Sequence, residues 1–323
     1  MSKYIRWGIL GASNFAKKTM APAIHEAENG CLKAIATSSP QKAAPFAALA
    51  PEIEIFDSYD ALLASPDIDA IYIPLPNHMH VEWSQKAARA GKHVLCEKPI
   101  ALNAKDIDQL IQTQKETGKL IAEGFMVTHH PQWEYVRNLL SSNAIGQLKH
   151  VQGVFTFFND DATNIRNKSD VGGGALYDIG VYPVVTARYA LGEDPAVKSC
   201  QSVWENGIDT ISRGQLEFSN NVSFDFYVSM RMNLRQEMVF HGTQGFIRVN
   251  TPFNATQVRA TYVETIHADG TETVQHFPSD RQYVLQVSAF NNAILNNTSF
   301  PCTLEFSKGN QTVIDSLLDL GRS

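Results

Sequence analysis

Three groups of side chains in this 323-residue chain have the types and spacing for chemistry. The first is Cys96-Glu97-Lys98-Pro99, a lysine between a carboxylate and a proline at the end of a short apolar run. A fixed ammonium charge stabilises negative charge as it develops on a substrate oxygen. The carboxyl end of a strand is also where open α/β sheets bind ligands. The second group follows three glycines, Gly172, Gly173 and Gly174, and contains Asp178 and Tyr182. Four residues apart on a helix, these two share a face. A tyrosine and an aspartate aimed at a lysine form a proton-transfer group, because the cation favours phenolate and brings the phenol nearer the operating pH. The same cluster also reads as a glycine-rich loop capping a structural helix.

The third group is Gly11-Ala12-Ser13-Asn14-Phe15-Ala16, which follows an apolar run and opens a helical pattern. Gly11, Ser13 and Ala16 hold the places of the small residues in a dinucleotide-binding turn. There the first permits a tight turn, the second lets the backbone approach the pyrophosphate, and the third permits close helix packing. The helix N-terminus offers free N–H groups to phosphates. A small-residue turn with no ligand has the same pattern, although the strand–turn–helix context favours a nucleotide. Residues 31–42 contain no Asp or Glu, whereas an NAD-selective site normally has an acidic residue near there for the ribose 2′-hydroxyl. They offer instead Thr37, Ser38, Ser39 and Lys42, donors suited to a 2′-phosphate, so NADP is expected over NAD. Leu75, Pro76, Asn77 and His80 lie just after the run 70–73, where two prolines and an Asn suggest a rigid loop under the nucleotide.

The elements that must position these groups fall into two patterns. The apolar runs 4–10, 32–37, 70–73, 93–96 and 120–122 are short, nearly continuous and rich in Ile, Val and Leu, as strands covered on both faces are. Helical spacing lies between them, as at Ile107, Leu110 and Ile111. Alternating strand and helix predicts a doubly wound parallel sheet, a Rossmann domain, over 1–123. From about residue 145 the period shifts towards two. Phe224, Phe226, Val228 and Met230 alternate with Asp225, Tyr227 and Ser229. Runs 151–158 and 213–218 read as strands, and 241–245 as a turn between strands. A helix should follow the glycines, a second carries the stripe Tyr283, Val287, Phe290 and Ile294, and a third covers about 307–320. Residues 124–323 are therefore expected to be an α+β domain with a mainly antiparallel sheet.

Composition narrows the function. A net charge of −6 without a basic stripe opposes nucleic-acid phosphates and polybasic membrane attachment. No stretch of about 18 apolar residues exists to span a bilayer. The run 4–10 is too short for a signal-peptide core, and the four cysteines (Cys31, Cys96, Cys200, Cys302) form no CxxC pair, so a cytoplasmic protein with reduced thiols is expected. No metal site is expected. His78 and His80, like His129 and His130, lack the spacing and the additional ligands of one. Phe155, Phe157 and Phe158 read as sheet core, and Cys96 as an inert buried thiol.

Together, Gly11–Ala16, Pro76-Asn77, residues 90–94 (Ala-Gly-Lys-His-Val), Glu97-Lys98-Pro99 and residues 172–182 resemble the glucose–fructose oxidoreductase, inositol dehydrogenase and rhizopine-catabolism (Gfo/Idh/MocA) family, in order and spacing over essentially the whole chain. The resemblance implies hydride transfer between a nicotinamide and a sugar-like alcohol or carbonyl carbon, with Lys98 at the reacting oxygen. Tyr182, where many members have His, resembles the branch of dimeric dihydrodiol dehydrogenases, NADP-dependent xylose dehydrogenases and glucose–fructose oxidoreductase. Asn164-Ile165-Arg166 resembles that branch too, which implies Arg166 at the substrate or nicotinamide edge. Relatives contact NADP near the positions of Thr37, Ser38, Lys42 and Tyr283, and the segment from Gly124 to Pro131 borders the site. In that segment Thr128 stands where arginine is common. The chain lacks the export signal and long N-terminal arm of the periplasmic member, so exchangeable NADP is expected.

The resulting expectation is an NADP-dependent oxidoreductase acting on a sugar, polyol or dihydrodiol, without metal, as a homodimer or homotetramer. Lys98, Tyr182 and Asp178 are its catalytic set, with Glu97 beside the cofactor. The competing expectation is a non-catalytic NADP-sensing regulator of the same fold.

Overall fold

The structure is a computed structural model that describes residues 4–255 and 260–322. The chain divides into two compact units, Met1–His129 with Gln282–Lys308, and His130–Arg281 with Gly309–Ser323. The expected boundary after residue 123 assigns 282–308 to the second domain. They pack instead on the first, because Trp7 at the centre of the first sheet is completed by side chains from that segment.

In the first unit, β1 (Ile5–Leu10), α1 (Ala21–Glu26), β2 (Gly30–Ala36), α2 (Pro40–Leu49), β3 (Glu54–Phe56) and α3 (Tyr59–Ala64) make one half. The other half is β4 (Ala70–Ile73), α4 (His80–Arg89), β5 (His93–Cys96), α5 (Ala104–Thr117) and β6 (Ile121–Glu123). The six strands are parallel in the order β3-β2-β1-β4-β5-β6, the doubly wound arrangement expected of alternating strand and helix. β4 is buried at every residue, which is why its sequence is a continuous apolar run. β3 was not among the expected strands. It is a three-residue edge strand with two exposed residues, so it carries no apolar pattern. Asn103 caps α5 by accepting from Asp106 N at 3.0 Å, a contact worth about 1 kcal/mol. Trp7 Nε1 donates to Asn291 Oδ1 at 2.9 Å, and the Trp7 and Phe290 rings lie 5.2 Å apart. Such a ring pair adds roughly 1 kcal/mol beyond its area.

The second unit contains α6 (Pro131–Ser141), β7 (Leu148–Phe158), α7 (Val181–Leu191), β8 (Ala196–Glu205), β9 (Ile208–Phe218), β10 (Val222–Ser229), β11 (Arg231–Gly242), β12 (Gly245–Val249), β13 (Tyr262–His267) and β14 (Glu272–His276). Their order is β14-β13-β12-β11-β7-β10-β9-β8. β7 and β10 pair in parallel, and the other pairings are antiparallel. Phe224, Phe226 and Val228 face the core, and the turn expected at 241–245 joins β11 to β12. Of the three phenylalanines read as core, Phe155 is buried and stacks on Phe253 at 5.0 Å, while Phe158 at the end of β7 is 63% exposed. α8 (Gln282–Asn296) belongs to the first unit, and α9 (Leu304–Arg322) runs from residues of the first into residues of the second. Among the described residues no helix is long and apolar enough to cross a membrane.

Candidate active site

The glycine turn is built by steric necessity. Gly11 N donates to Ala36 O at 2.9 Å and the residue adopts φ +90°, with Leu75 Cδ2 and Tyr59 Oη 3.2 Å from where a Cβ would stand. Only glycine fits such a turn without strain. Ser13 does more than replace a small residue. Its Oγ accepts from Ala16 N at 3.0 Å and its carbonyl accepts from Lys17 N, so it caps the helix that follows. The amides just before Ala16 thus lie at an open helix end, the geometry that receives phosphate. Ala16 is fully buried, as close packing requires. Residues 16–20 form a π-turn before α1, a local widening that sequence pattern does not announce. Phe15 is partly exposed and meets Tyr283 of α8 edge-on at 5.6 Å, so the structure brings these two expected residues together.

Beyond β2 the backbone turns through hydroxyl contacts. Ser39 N donates to Thr37 Oγ1 at 3.2 Å, and Lys42 N to Ser39 O at 3.0 Å. Ser38 on this turn and Lys42 in the first turn of α2 are both exposed, within four residues of each other and with no carboxylate in 31–42.

The lysine loop is held on several sides. Glu97 N donates to Ile73 O at 3.0 Å, and Tyr72 Oη donates to Glu97 Oε1 at 2.7 Å. Lys98–Pro99 is a cis peptide. Ile100 N donates to Glu123 Oε1 at 2.8 Å, and Gly124 N to Cys96 O at 2.7 Å. Burial and the charge of Glu97 push the Tyr72 phenol well up, and the same two causes raise that of Tyr283. Both phenols are therefore neutral, and Tyr72 serves Glu97 as a donor.

His80 was expected to touch the nucleotide. The structure gives it a different position. Its ring is fully buried, with Nδ1 2.7 Å from Pro99 O and Nε2 2.8 Å from Leu75 O. With both nitrogens engaged, His80 ties the Leu75–Pro76–Asn77 loop to the lysine loop, and any effect on a nucleotide passes through those loops. Burial lowers its pKa against the pull of the two carbonyls.

Glu123 was missed by sequence reasoning. It ends β6 on the strand beside Cys96 and is 3% exposed, and burial raises its pKa to about 7 against the lowering effects of Ser307, the Ile100 amide and Lys98. A carboxylate closing an apolar run just before Gly124 was the available signal.

In the second unit, residues 176–180 form another π-turn that leads directly into α7, so Asp178 and Tyr182 lie on one continuous helical segment. Arg166 Nε donates to Asp178 Oδ2 at 2.7 Å. Tyr182 is nearly buried, its ring 5.5 Å from that of Phe155 and 5.6 Å from that of Phe253. Lys98 belongs to the first unit, and Asp178, Arg166 and Tyr182 to the second.

His129 packs on Phe300 at 4.9 Å, and His130 Nδ1 accepts from Gln132 N at 3.2 Å to cap α6. Burial lowers both pKa values to about 4. Thr128 Oγ1 donates to the carbonyl of Phe125 at 2.9 Å and is buried. Cys96 is fully buried with its thiol pKa pushed well up by burial, an inert environment. Among the described residues there is no group of three or more His, Cys, Asp or Glu placed to hold a metal ion.

Comparison with known proteins adds names to this arrangement. Residues 5–125 match the oxidoreductase family with NAD-binding Rossmann fold, and residues 133–248 match the GFO/IDH/MocA C-terminal domain. The chain is 36% identical over 255 residues to a dTDP-3,4-didehydro-2,6-dideoxy-α-D-glucose 3-reductase of Saccharopolyspora spinosa, covering 78% of this chain and 76% of that one. It is 32% identical to the D-xylose 1-dehydrogenase (NADP(+)) 2 of Haloferax volcanii, covering 89% of this chain and 88% of that one. The crystal structure of KijD10, a 3-ketoreductase from Actinomadura kijaniata in complex with NADP and TDP-benzene, superposes with a TM-score of 0.92 at 29% identity over 98% of each chain. Because the two matched regions span both halves of the fold, the chain belongs to the GFO/IDH/MocA family of oxidoreductases.

Proposed function

We propose that this oxidoreductase uses NADP(H) and acts on a carbon bearing a hydroxyl or carbonyl group in a sugar-like or cyclic-diol substrate. The observation that carries the reading is the lysine loop: Lys98 follows β5 on a backbone pinned by Ile73, His80 and Glu123, with Tyr72 holding the Glu97 side chain, and only β4 separates β5 from β1, which ends in the glycine turn. A cation on so rigid a support suits stabilisation of charge on a substrate oxygen.

The residues present fit the dinucleotide. Gly11 holds a positive φ that a side chain would strain, the helix end after it is open, and Ser38 and Lys42 stand exposed where a 2′-phosphate would need donors. Ala12, Ser13, Asn14 and Phe15 would line the pyrophosphate. Thr37, Ser38 and Lys42 would hold the adenosine phosphate, with Leu75, Pro76, Asn77, Glu97, Gly124, Arg166 and Tyr283 around the rest. Bound NADP supplies the two-electron acceptor or donor. In the oxidative direction Tyr182, or Lys98 directly, takes the hydroxyl proton. Lys98 stabilises the developing alkoxide, and Asp178 with Arg166 orients the substrate. The relatives named above act on deoxy-keto-sugar nucleotides and xylose, which supports a sugar-like substrate. We assign substrate binding and self-association, as a homodimer or homotetramer, to the second unit. The free cysteines, three of them buried, suit a reducing cytoplasm.

The test is nicotinamide absorbance during incubation with aldoses, polyols, trans-dihydrodiols and a dTDP-linked 3-keto sugar, each with NADP(H) and with NAD(H). Turnover with NADP(H) supports the reading, and the best substrate names the branch. Preference for NAD(H) overturns the argument from residues 31–42. Tight NADPH binding without turnover on any substrate favours a regulator.

A further inference from the structure

The glycine run that leads to Asp178 and Tyr182 ends against a buried carboxylate that the proposed mechanism does not use. Asp209 lies near the start of β9, is 1% exposed, and points into the end of the 176–191 segment. Its Oδ2 accepts from Leu176 N at 2.8 Å and from Ser212 Oγ at 2.8 Å, and the Ala175 amide donates to the same carboxylate. Ala175 and Leu176 supply two of the amides that a helix start leaves without intrahelical partners. Gly174 adopts φ +127°, and a Cβ there would run into Asp209 Oδ1, so the glycine is what lets the carboxylate come so close.

We propose that Asp209 is a positioning residue for the reaction: from a neighbouring strand it caps the segment carrying Asp178 and Tyr182, and so fixes where both side chains stand. This rests on the function proposed above. A cap supplied by the side chain of another element sets the helix against the sheet as well as satisfying its amides. Asp178 is two residues beyond Leu176 and Tyr182 six, so a shift of this end moves both. The Arg166 guanidinium, which donates to Asp178, moves with them.

The carboxylate is also set to respond to pH. Burial raises its pKa to about 6, against the lowering effects of Ser212 and the Leu176 and Ala175 amides. Ser212 Oγ lies 2.8 Å from Ser202 Oγ, which lies 3.7 Å from Cys200 Sγ, so hydroxyls lead from the carboxylate to half-buried Ser202. The titratable groups facing Asp209 are Tyr177 on the capped segment and Cys200 on β8. Burial raises both of their pKa values, Tyr177 to about 12, so both are neutral where Asp209 titrates. Asp315, Asp319 and Arg322 of α9 act on Tyr177 in turn. A proton on Asp209 makes it a weaker acceptor for the amides it serves, so the cap changes as pH falls through about 6, while the raised pKa means the folded protein holds that proton more tightly than the unfolded chain and the fold itself is kept.

The test uses the full-length protein with Asp209→Asn and Ser212→Ala. It reads kcat and KM on the best panel substrate, the pH profile of kcat/KM, hydrogen exchange of residues 175–182, and the circular-dichroism melt. Asp209→Asn should lower kcat by about tenfold to a hundredfold, the scale of a roughly 1 Å misplacement. KM for NADPH should change by less than about twofold, because uniform nucleotide binding is untouched. Exchange at 175–182 should rise, and the acid limb near pH 6 should disappear. Ser212→Ala removes one donor to the charged form and should move that limb upward by about half a pH unit. A folded Asp209→Asn protein with wild-type kcat, or wild-type exchange at 175–182, overturns the proposal. Should that variant fail to fold, an unmoved limb in Ser212→Ala overturns it. A wild-type protein that turns over nothing refutes the function instead, and the exchange measurement then decides the cap alone.

Discussion

Arg166 Nε stands 2.7 Å from Asp178 Oδ2, and the two side chains are unequally covered, the arginine 44% exposed and the aspartate 14%. The carboxylate is thus held by a partner that reaches solvent. Arg166→Ala should lower kcat/KM by about tenfold, the scale of one hydrogen bond to a charged group. Arg166→Lys should not restore it, since an ammonium lacks the planar donor geometry of the guanidinium. Steady-state kinetics on the best panel substrate checks both, and full activity in the lysine variant would leave only charge as the requirement.

Lys98→Met and Tyr182→Phe should each cut turnover by about a hundredfold to ten-thousandfold, the range for an electrostatic stabiliser and a general acid–base. NADPH affinity, read by fluorescence titration, should stay nearly constant in both. Tyr182 packs against Phe155 and Phe253, so loss of the hydroxyl leaves its ring contacts in place. Unchanged turnover in either variant removes that residue from the mechanism.

The proposed coenzyme choice rests on Ser38 and Lys42. Lys42→Ala should weaken NADP binding by about tenfold, the loss of one charge-assisted contact, and leave NAD unaffected. Ser38→Asp places a carboxylate at the end of β2 and should shift preference towards NAD. The ratio of kcat/KM for the two coenzymes is the measurement, and an unmoved ratio in both variants would place the 2′-phosphate elsewhere.

Glu123 gives a pH dependence of stability with a defined sign. Its folded pKa of about 7 lies above its ordinary 4.5, so the folded state binds the proton more tightly. The stabilisation is fully present below about pH 4.5 and is lost as pH rises through about 7, a change of about 3 kcal/mol. Glu123→Gln keeps an oxygen for Ile100 N and carries no charge. It should therefore melt above wild type at pH 8 and near it at pH 5. A variant that melts below wild type at pH 8 would show that the charged form is the stabilising one.

Much of the first unit was legible in the sequence, because strands buried on both faces leave unbroken apolar runs, and those runs became β1, β2, β4, β5 and β6. β3 was illegible because an exposed three-residue edge has no period. The glycine turn was read correctly as a turn, but Ser13 was read by size alone. Its hydroxyl caps a helix, which only the position of the Ala16 amide reveals. His80, Glu123 and Asp209 share a reason for escaping or misleading the reading. Each meets partners brought near by the fold, as with His80 and Pro99 or Asp209 and Leu176, and spacing along the chain does not encode those meetings. The π-turns at 16–20 and 176–180 were likewise invisible, since one extra residue in a turn has no compositional mark.

The return of residues 282–308 to the first unit has a consequence for anyone cutting or recombining the gene. A fragment ending at residue 123 would strip Trp7 of Asn291 and Phe290, and Phe15 of Tyr283. The nucleotide-binding half is therefore a split module, and a chimera that exchanges it with a relative must carry both segments from the same parent. Crossovers placed near 129, 281 and 308 keep those pairs together, whereas a single crossover after 123 separates them.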